Sequence, residues 1–153
     1  MRFLLIVFLF LTLPLGVFSQ KSIDKELNIL IDSWHLAATK ADFNTYFSKV
    51  SADFVFLGTA PGERWEKAEF ESFCKPYFDK GKAWDFVPSN RNWKFADKGK
   101  FAFFDEDLAT WMEGCRGSGI CTKVNGEWKI IYYNLTVLIE NEKIKSFISL
   151  RKE

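Results

Sequence analysis

Few side chains in this sequence are placed to do chemistry. His35 is the single histidine, and histidine is the side chain whose ordinary pKa lies near neutrality, so it is a candidate acid or base. It lies one position beyond Trp34, at the edge of an apolar stripe; a helix-edge histidine held by a neighbour or by water is the structural alternative. Glu106 is the second candidate. In the run Phe101 to Leu108, period-two alternation puts Ala102, Phe104, Glu106 and Leu108 on one face. A carboxylate among aromatic rings is expected to lose solvation and have its pKa raised, as a general acid or base requires. The alternative is a structural ion pair between Glu106 and Arg116 on a neighbouring strand. Arg116 could equally bind a ligand carboxylate bidentately or lie at a subunit contact.

The ligand-binding candidates are Trp34, Trp65, Arg116, Tyr132 and Asn134. Aromatic residues make up 18% of the chain, including six tryptophans, and a cavity lined by several of them would suit a flat apolar ligand. No C-x-x-C, H-E-x-x-H, G-x-S-x-G or phosphate-cradling glycine loop occurs, so neither a metal nor another cofactor is expected. Gly114-Cys115-Arg116-Gly117-Ser118-Gly119 is glycine-rich but leads into a strand rather than a helix.

The elements that must position these residues follow from apolar periodicity. From Ser22 to Ala41, Ile23, Leu27, Leu30, Ile31, Trp34, Ala38 and Ala41 recur at helical spacing. Phe43, Tyr46, Phe47 and Val50 predict a second helix of about three turns. Asp53 to Leu57 reads as a strand, and Gly58 to Gly62 as a loop. Lys67 to Phe78 reads as a helix that Pro76 would end or kink, with Gly81 beyond it. Trp84 to Val87, Arg91 to Ala96, Lys100 to Thr110, Glu113 to Val124 and Glu127 to Ile139 read as strands. Ile144 to Leu150 reads as an extension of the last strand or a short further one.

Asn125-Gly126 predicts a type I′ turn joining the two longest strands. The two-residue loop pairs Lys123 with Trp128, Cys121 with Ile130, Gly119 with Tyr132 and Gly117 with Asn134. The glycines would let the sheet bend there. Both faces of this hairpin carry apolar residues, so helices are expected on one face and a second subunit on the other.

Residues 1–19 carry a basic start, an apolar run too short to span a bilayer and small residues before a cleavage point, the pattern of a secretory signal peptide. Removing 19 of 153 residues leaves 134, suited to a single domain over residues 20–153. Export to the periplasm or the extracellular space is expected, with no membrane span in the mature chain. Arg2 is the only charged residue of the leader, so the mature chain has 20 Lys+Arg against 20 Asp+Glu, without the basic footprint of a nucleic-acid binder. Cys115 and Cys121 would lie about 20 Å apart on one strand, beyond the reach of a disulfide with each other; small buried thiols are expected, with a bridge from Cys74 to one of the two as the alternative.

Short segments in order along the mature chain resemble a SnoaL-like member of the nuclear transport factor 2-like superfamily: Trp34 with Asp42, Phe56 to Thr59, Trp65 to Phe70, Ala102 to Leu108, Arg116 to Ile120 and Trp128 to Ile130. The resemblance implies an α+β cone, a strongly curved antiparallel sheet packed on about three N-terminal helices and enclosing a pocket, often in a homodimer joined through the sheet. The superfamily includes ketosteroid isomerases, dehydratases, epoxide hydrolases, polyketide cyclases and members that only bind. Isomerase-type members place a catalytic aspartate shortly before the glycine of the first strand; Phe54-Val55-Phe56-Leu57-Gly58 has no carboxylate. Three functions stand open: binding of a small apolar or amphipathic molecule, proton-transfer catalysis with Glu106 or His35 as base and Tyr132 or Arg116 polarising an oxygen, or a dimeric structural module.

Overall fold

A computed structural model describes residues 15–152, with side chains from residue 23 onward. Residues 1–14, most of the expected signal peptide, lie outside the described residues. Helix α1 (Leu15–Thr39) buries Leu27, Ile31, Trp34 and Ala38, the stripe expected from their spacing. Helix α2 (Phe43–Ser48) is shorter than expected. Asp42 caps it by accepting a hydrogen bond from the Thr45 amide at 3.0 Å, and Val50 already begins strand β1 (Val50–Leu57). Strand β2 (Arg64–Glu66) precedes helix α3 (Lys67–Asp79). At the start of α3 the Glu69 carboxylate accepts from the Glu66 amide at 3.1 Å, and Pro76 lies inside the helix.

Four long strands follow: β3 (Val87–Ala96), β4 (Phe101–Thr110), β5 (Glu113–Val124) and β6 (Glu127–Val137). The two strands expected between Trp84 and Ala96 are one, interrupted between Ser89 and Asn92 by a bulge where Asn90 takes φ 49°. The sheet runs β2-β1-β6-β5-β4-β3. It is antiparallel except that β1 lies parallel to β6. The helices pack in its concave face, giving the expected curved α+β cone.

Residues 144–150 form helix α4 (Ile144–Leu150), a correction to the expected strand. β6 is already paired on both sides, by β1 and β5, so no edge beside it is vacant. Ile144, Phe147 and Ile148 are also spaced as a helix stripe requires.

The Asn125-Gly126 turn forms as expected, with φ values of 52° and 87°. The register beyond it differs from expectation. Lys123 faces Trp128 and Cys121 faces Ile130, but a bulge then makes Ile120 face Tyr132, Gly119 face Tyr133 and Gly117 face Leu135. One extra residue on β6 reverses which side chains point inward. Tyr133 and Leu135 enter the core, while Tyr132 and Asn134 turn to the outer face with Arg116, Ser118 and Ile120.

The core is largely aromatic. Trp34 stacks on Tyr46 at 4.9 Å between ring centroids and meets Tyr133 edge-on at 4.7 Å. Phe56 stacks on Phe70 at 4.2 Å. Cys74, Cys115 and Cys121 are buried free thiols, as expected.

Candidate functional site

Two features inside the cone are built from side chains of several elements: a buried polar cluster at its centre and an aromatic cleft at one end. Glu106 is the hub of the first. It projects inward from β4 on the face that period two assigns and is 0% exposed. Its Oε1 lies 2.8 Å from His35 Nε2 of α1 and accepts from the Tyr133 hydroxyl of β6 at 3.0 Å. Its Oε2 accepts from Arg91 Nε of β3 at 2.8 Å and lies 2.7 Å from Arg91 Nη2. Arg91 Nη1 reaches Asn28 Oδ1 at 3.1 Å and Asp32 Oδ1 at 2.8 Å on α1, and Trp93 Nε1 donates to the same Asn28 oxygen at 3.0 Å.

Gly117 faces Glu106 across β4 and β5. A Cβ there would overlap the Tyr133 hydroxyl and come within 3.1 Å of Glu106 Oε1. The space the glycine leaves is therefore filled by the phenol that bonds Glu106. Gly119 plays the same part for the Phe104 ring.

The electrostatics reverse the expectation for Glu106. Burial pushes its pKa up, but the His35 hydrogen bond, the His35 charge and the Arg91 guanidinium together outweigh burial and hold it below its ordinary value. Glu106 is an ionised carboxylate with its lone pairs engaged, and Arg91, not Arg116, is its partner. Arg116 is half exposed on the outer face, 3.7 Å from Asp107. Tyr133 remains a phenol: burial first, then the charge and hydrogen bond of Glu106, hold its pKa well above 10.0.

The cleft, about 160 Å³, is walled by Phe56 of β1, Trp65 of β2, Phe70 and Phe73 of α3, Trp84 and Phe86 of the connection into β3, Trp111 and Met112 of the β4–β5 turn, and Leu135 of β6. Gly58, Thr59 and Glu63 contribute the polar edge. Trp84 and Trp111 also wall an adjoining depression of about 800 Å³. Trp111 is 81% exposed, held at the hairpin tip by a turn in which the Met112 amide donates to Thr110 Oγ1 at 2.9 Å.

Of the residues singled out from sequence, the structure brings His35 and Glu106 together and sets Trp34 in the core above them. Trp65 alone of the five ligand candidates lines the cleft. Arg116, Tyr132 and Asn134 lie on the outer face, the last donating to Thr136 Oγ1 at 3.3 Å; the one-residue shift in β6 explains the misplacement of Tyr132 and Asn134. His35 and Glu106 do not line the cleft: Phe86, 6.3 Å from the His35 ring, and Phe56, 5.8 Å from the Tyr133 ring, stand between. Sequence reasoning passed over Arg91, although Arg91, Trp93 and Phe95 alternate onto one face of β3, and over Asn28 and Asp32, which share a helix face with His35. Among the described residues no cluster of His, Cys, Asp and Glu could hold a metal ion, and no helix is long and apolar enough to cross a membrane.

Comparison with known proteins places the fold. No curated protein matches the sequence. The chain is similar in structure to an NTF2-like protein of unknown function from Pseudomonas putida KT2440, at 14% identity, TM-score 0.66, over 80% of this chain and 92% of that one. It is also similar to a protein of the NTF2-like family from Streptomyces avermitilis that carries the provisional name dehydratase, at 10% identity, TM-score 0.66, over 79% of this chain and 99% of that one. Likeness at these identities establishes the fold and leaves the chemistry to the site. The model of the SnoaL-like domain matches residues 27–140, from the helix that carries His35 past the end of the sheet that carries Glu106 and Tyr133, and the chain belongs to that family.

Proposed function

We propose that this chain is an exported SnoaL-like protein that binds a small amphipathic molecule in the aromatic cleft, without turning it over. The observation that carries the reading is Trp111, a large apolar ring left 81% exposed at a hairpin tip where it walls both the cleft and the adjoining depression. Exposed aromatic surface beside a concave apolar wall is the usual mark of a ligand site. The engagement of Glu106 on both oxygens, away from the cleft, argues against its acting as a base. The basic start and short apolar run of residues 1–19 support export.

The experiment is a titration of intrinsic tryptophan fluorescence with small flat aromatic compounds, run beside thermal melts. Quenching that saturates together with a rise in melting temperature is expected. Failure of every compound to change either signal would defeat the binding reading.

A second reading has its own observation. The 2.8 Å contact of His35 Nε2 with Glu106 is an imidazole–carboxylate pair that can orient His35 as a base for proton transfer. It would show as turnover that vanishes in His35→Gln. Homodimerisation through the outer face of the sheet, where Phe103 is 44% exposed beside half-buried Ile120 and Tyr132, belongs to either reading and is tested by the solution mass.

A further inference from the structure

We propose that the cleft selects a cation: an organic ammonium on a flat apolar body, with Glu63 as its counter-charge. This rests on the cleft being the ligand site. Aromatic rings present electron-rich faces, and a cation set against several of them is attracted by each. Trp65 and Phe73 stand stacked, 4.6 Å between centroids, and Trp84 and Trp111 line the same cleft.

Among the described residues, Glu63 is the only charged one in the cleft wall. Its Oε2 accepts from the Ala60 amide at 2.9 Å, and a Cβ on Gly58 would overlap the same carboxylate. The carboxylate is therefore seated by the Gly58–Glu63 loop, and among the described residues no cationic side chain pairs with it. An anion would meet both a carboxylate and negative ring faces. A neutral ligand would cover the half-buried carboxylate without giving it a partner, an uncompensated desolvation. A cation satisfies rings and carboxylate together. The adjoining depression carries Lys82 and Asp85, one charge of each sign, and adds no net preference.

The test compares three probes of one shape by tryptophan fluorescence: benzyltrimethylammonium, its neutral carbon isostere neopentylbenzene, and benzylsulfonate. Binding of the cation about tenfold tighter than the neutral probe is expected, the anion weakest, since desolvated cation–π contacts are of that order. The cation-to-neutral ratio should fall several-fold in Glu63→Gln, which keeps an oxygen for the Ala60 amide and leaves only the share of the preference due to the rings; its melting curve checks folding. In the wild type, added salt should weaken the cation alone. A neutral probe that binds as tightly as the cation, or a ratio retained in Glu63→Gln, would overturn the charge assignment while leaving the cleft as the site. No binding by any of the three would overturn both.

Discussion

Replacing Glu106 by Gln tests the buried cluster most directly, because the shape is kept and the charge removed. Gln offers one oxygen and one NH₂ where the carboxylate accepts His35 and Tyr133 on one oxygen and Arg91 on the other. Turned towards Arg91, its NH₂ faces a donor; turned towards His35 and Tyr133, it leaves Arg91 a neutral amide oxygen in place of a carboxylate. Arg91, whose side chain is 9% exposed, keeps, among the described residues, only Asp32 as a counter-charge. Loss of one partner from a buried ion pair costs about 3–5 kcal/mol, a large part of the about 5–15 kcal/mol that stabilises a domain of this kind. For a domain of this size that corresponds to a fall in melting temperature of about 10–20 °C.

The pH dependence supplies a sign. The folded-state pKa of Glu106 is depressed below 4.5, so its contribution is complete above that value and is lost as pH falls through the folded pKa. The gap between wild type and Glu106→Gln should be wide at neutral pH and narrow in acid. Urea unfolding of Glu106→Leu, Arg91→Met and the double variant completes a cycle: the double should cost less than the sum of the singles, since it leaves no buried charge unpaired. A Glu106→Gln loss under about 1 kcal/mol would refute the account of Glu106 as hub, since removing one partner of a buried pair costs several times that, and so would additive singles, since residues in direct contact couple.

Other consequences are narrower. Gly117→Ala should destabilise by about 1–3 kcal/mol, as overpacking does, because the added methyl must displace the Tyr133 hydroxyl; denaturant midpoints at constant slope measure it. Trp111→Ala should leave the melting temperature within a few degrees, its ring being mostly in water, yet weaken ligand quenching several-fold; unchanged binding would remove Trp111 from the site. The buried thiols should resist a thiol-specific reagent in the native state and react on unfolding, since burial pushes Cys121 up to about 12 and Cys74 higher still.

Local chemistry made some parts legible from sequence alone. The stripe of α1, the Asn125-Gly126 turn and the inward face of β4, with Glu106 on it, follow from spacings within a few residues, which no distant contact needs to supply. The shape of the site does not follow from such spacings. One extra residue in β6 beyond Ile130 brings Tyr133 inward and sends Tyr132 and Asn134 out, and a bulge depends on how two whole strands are held together. The partner of Glu106 depends on which strand lies over which helix turn: β3 delivers Arg91 to Asn28 and Asp32, 63 positions away in the case of Asn28. The ionisation of Glu106 turned on that delivery, because burial among rings alone raises a carboxylate pKa and only the converging His35 and Arg91 reverse it. Sequence spacing determined which side chains face inward along one strand; the tertiary packing of helix and sheet decided what they meet, because charge and solvation act through space rather than along the chain.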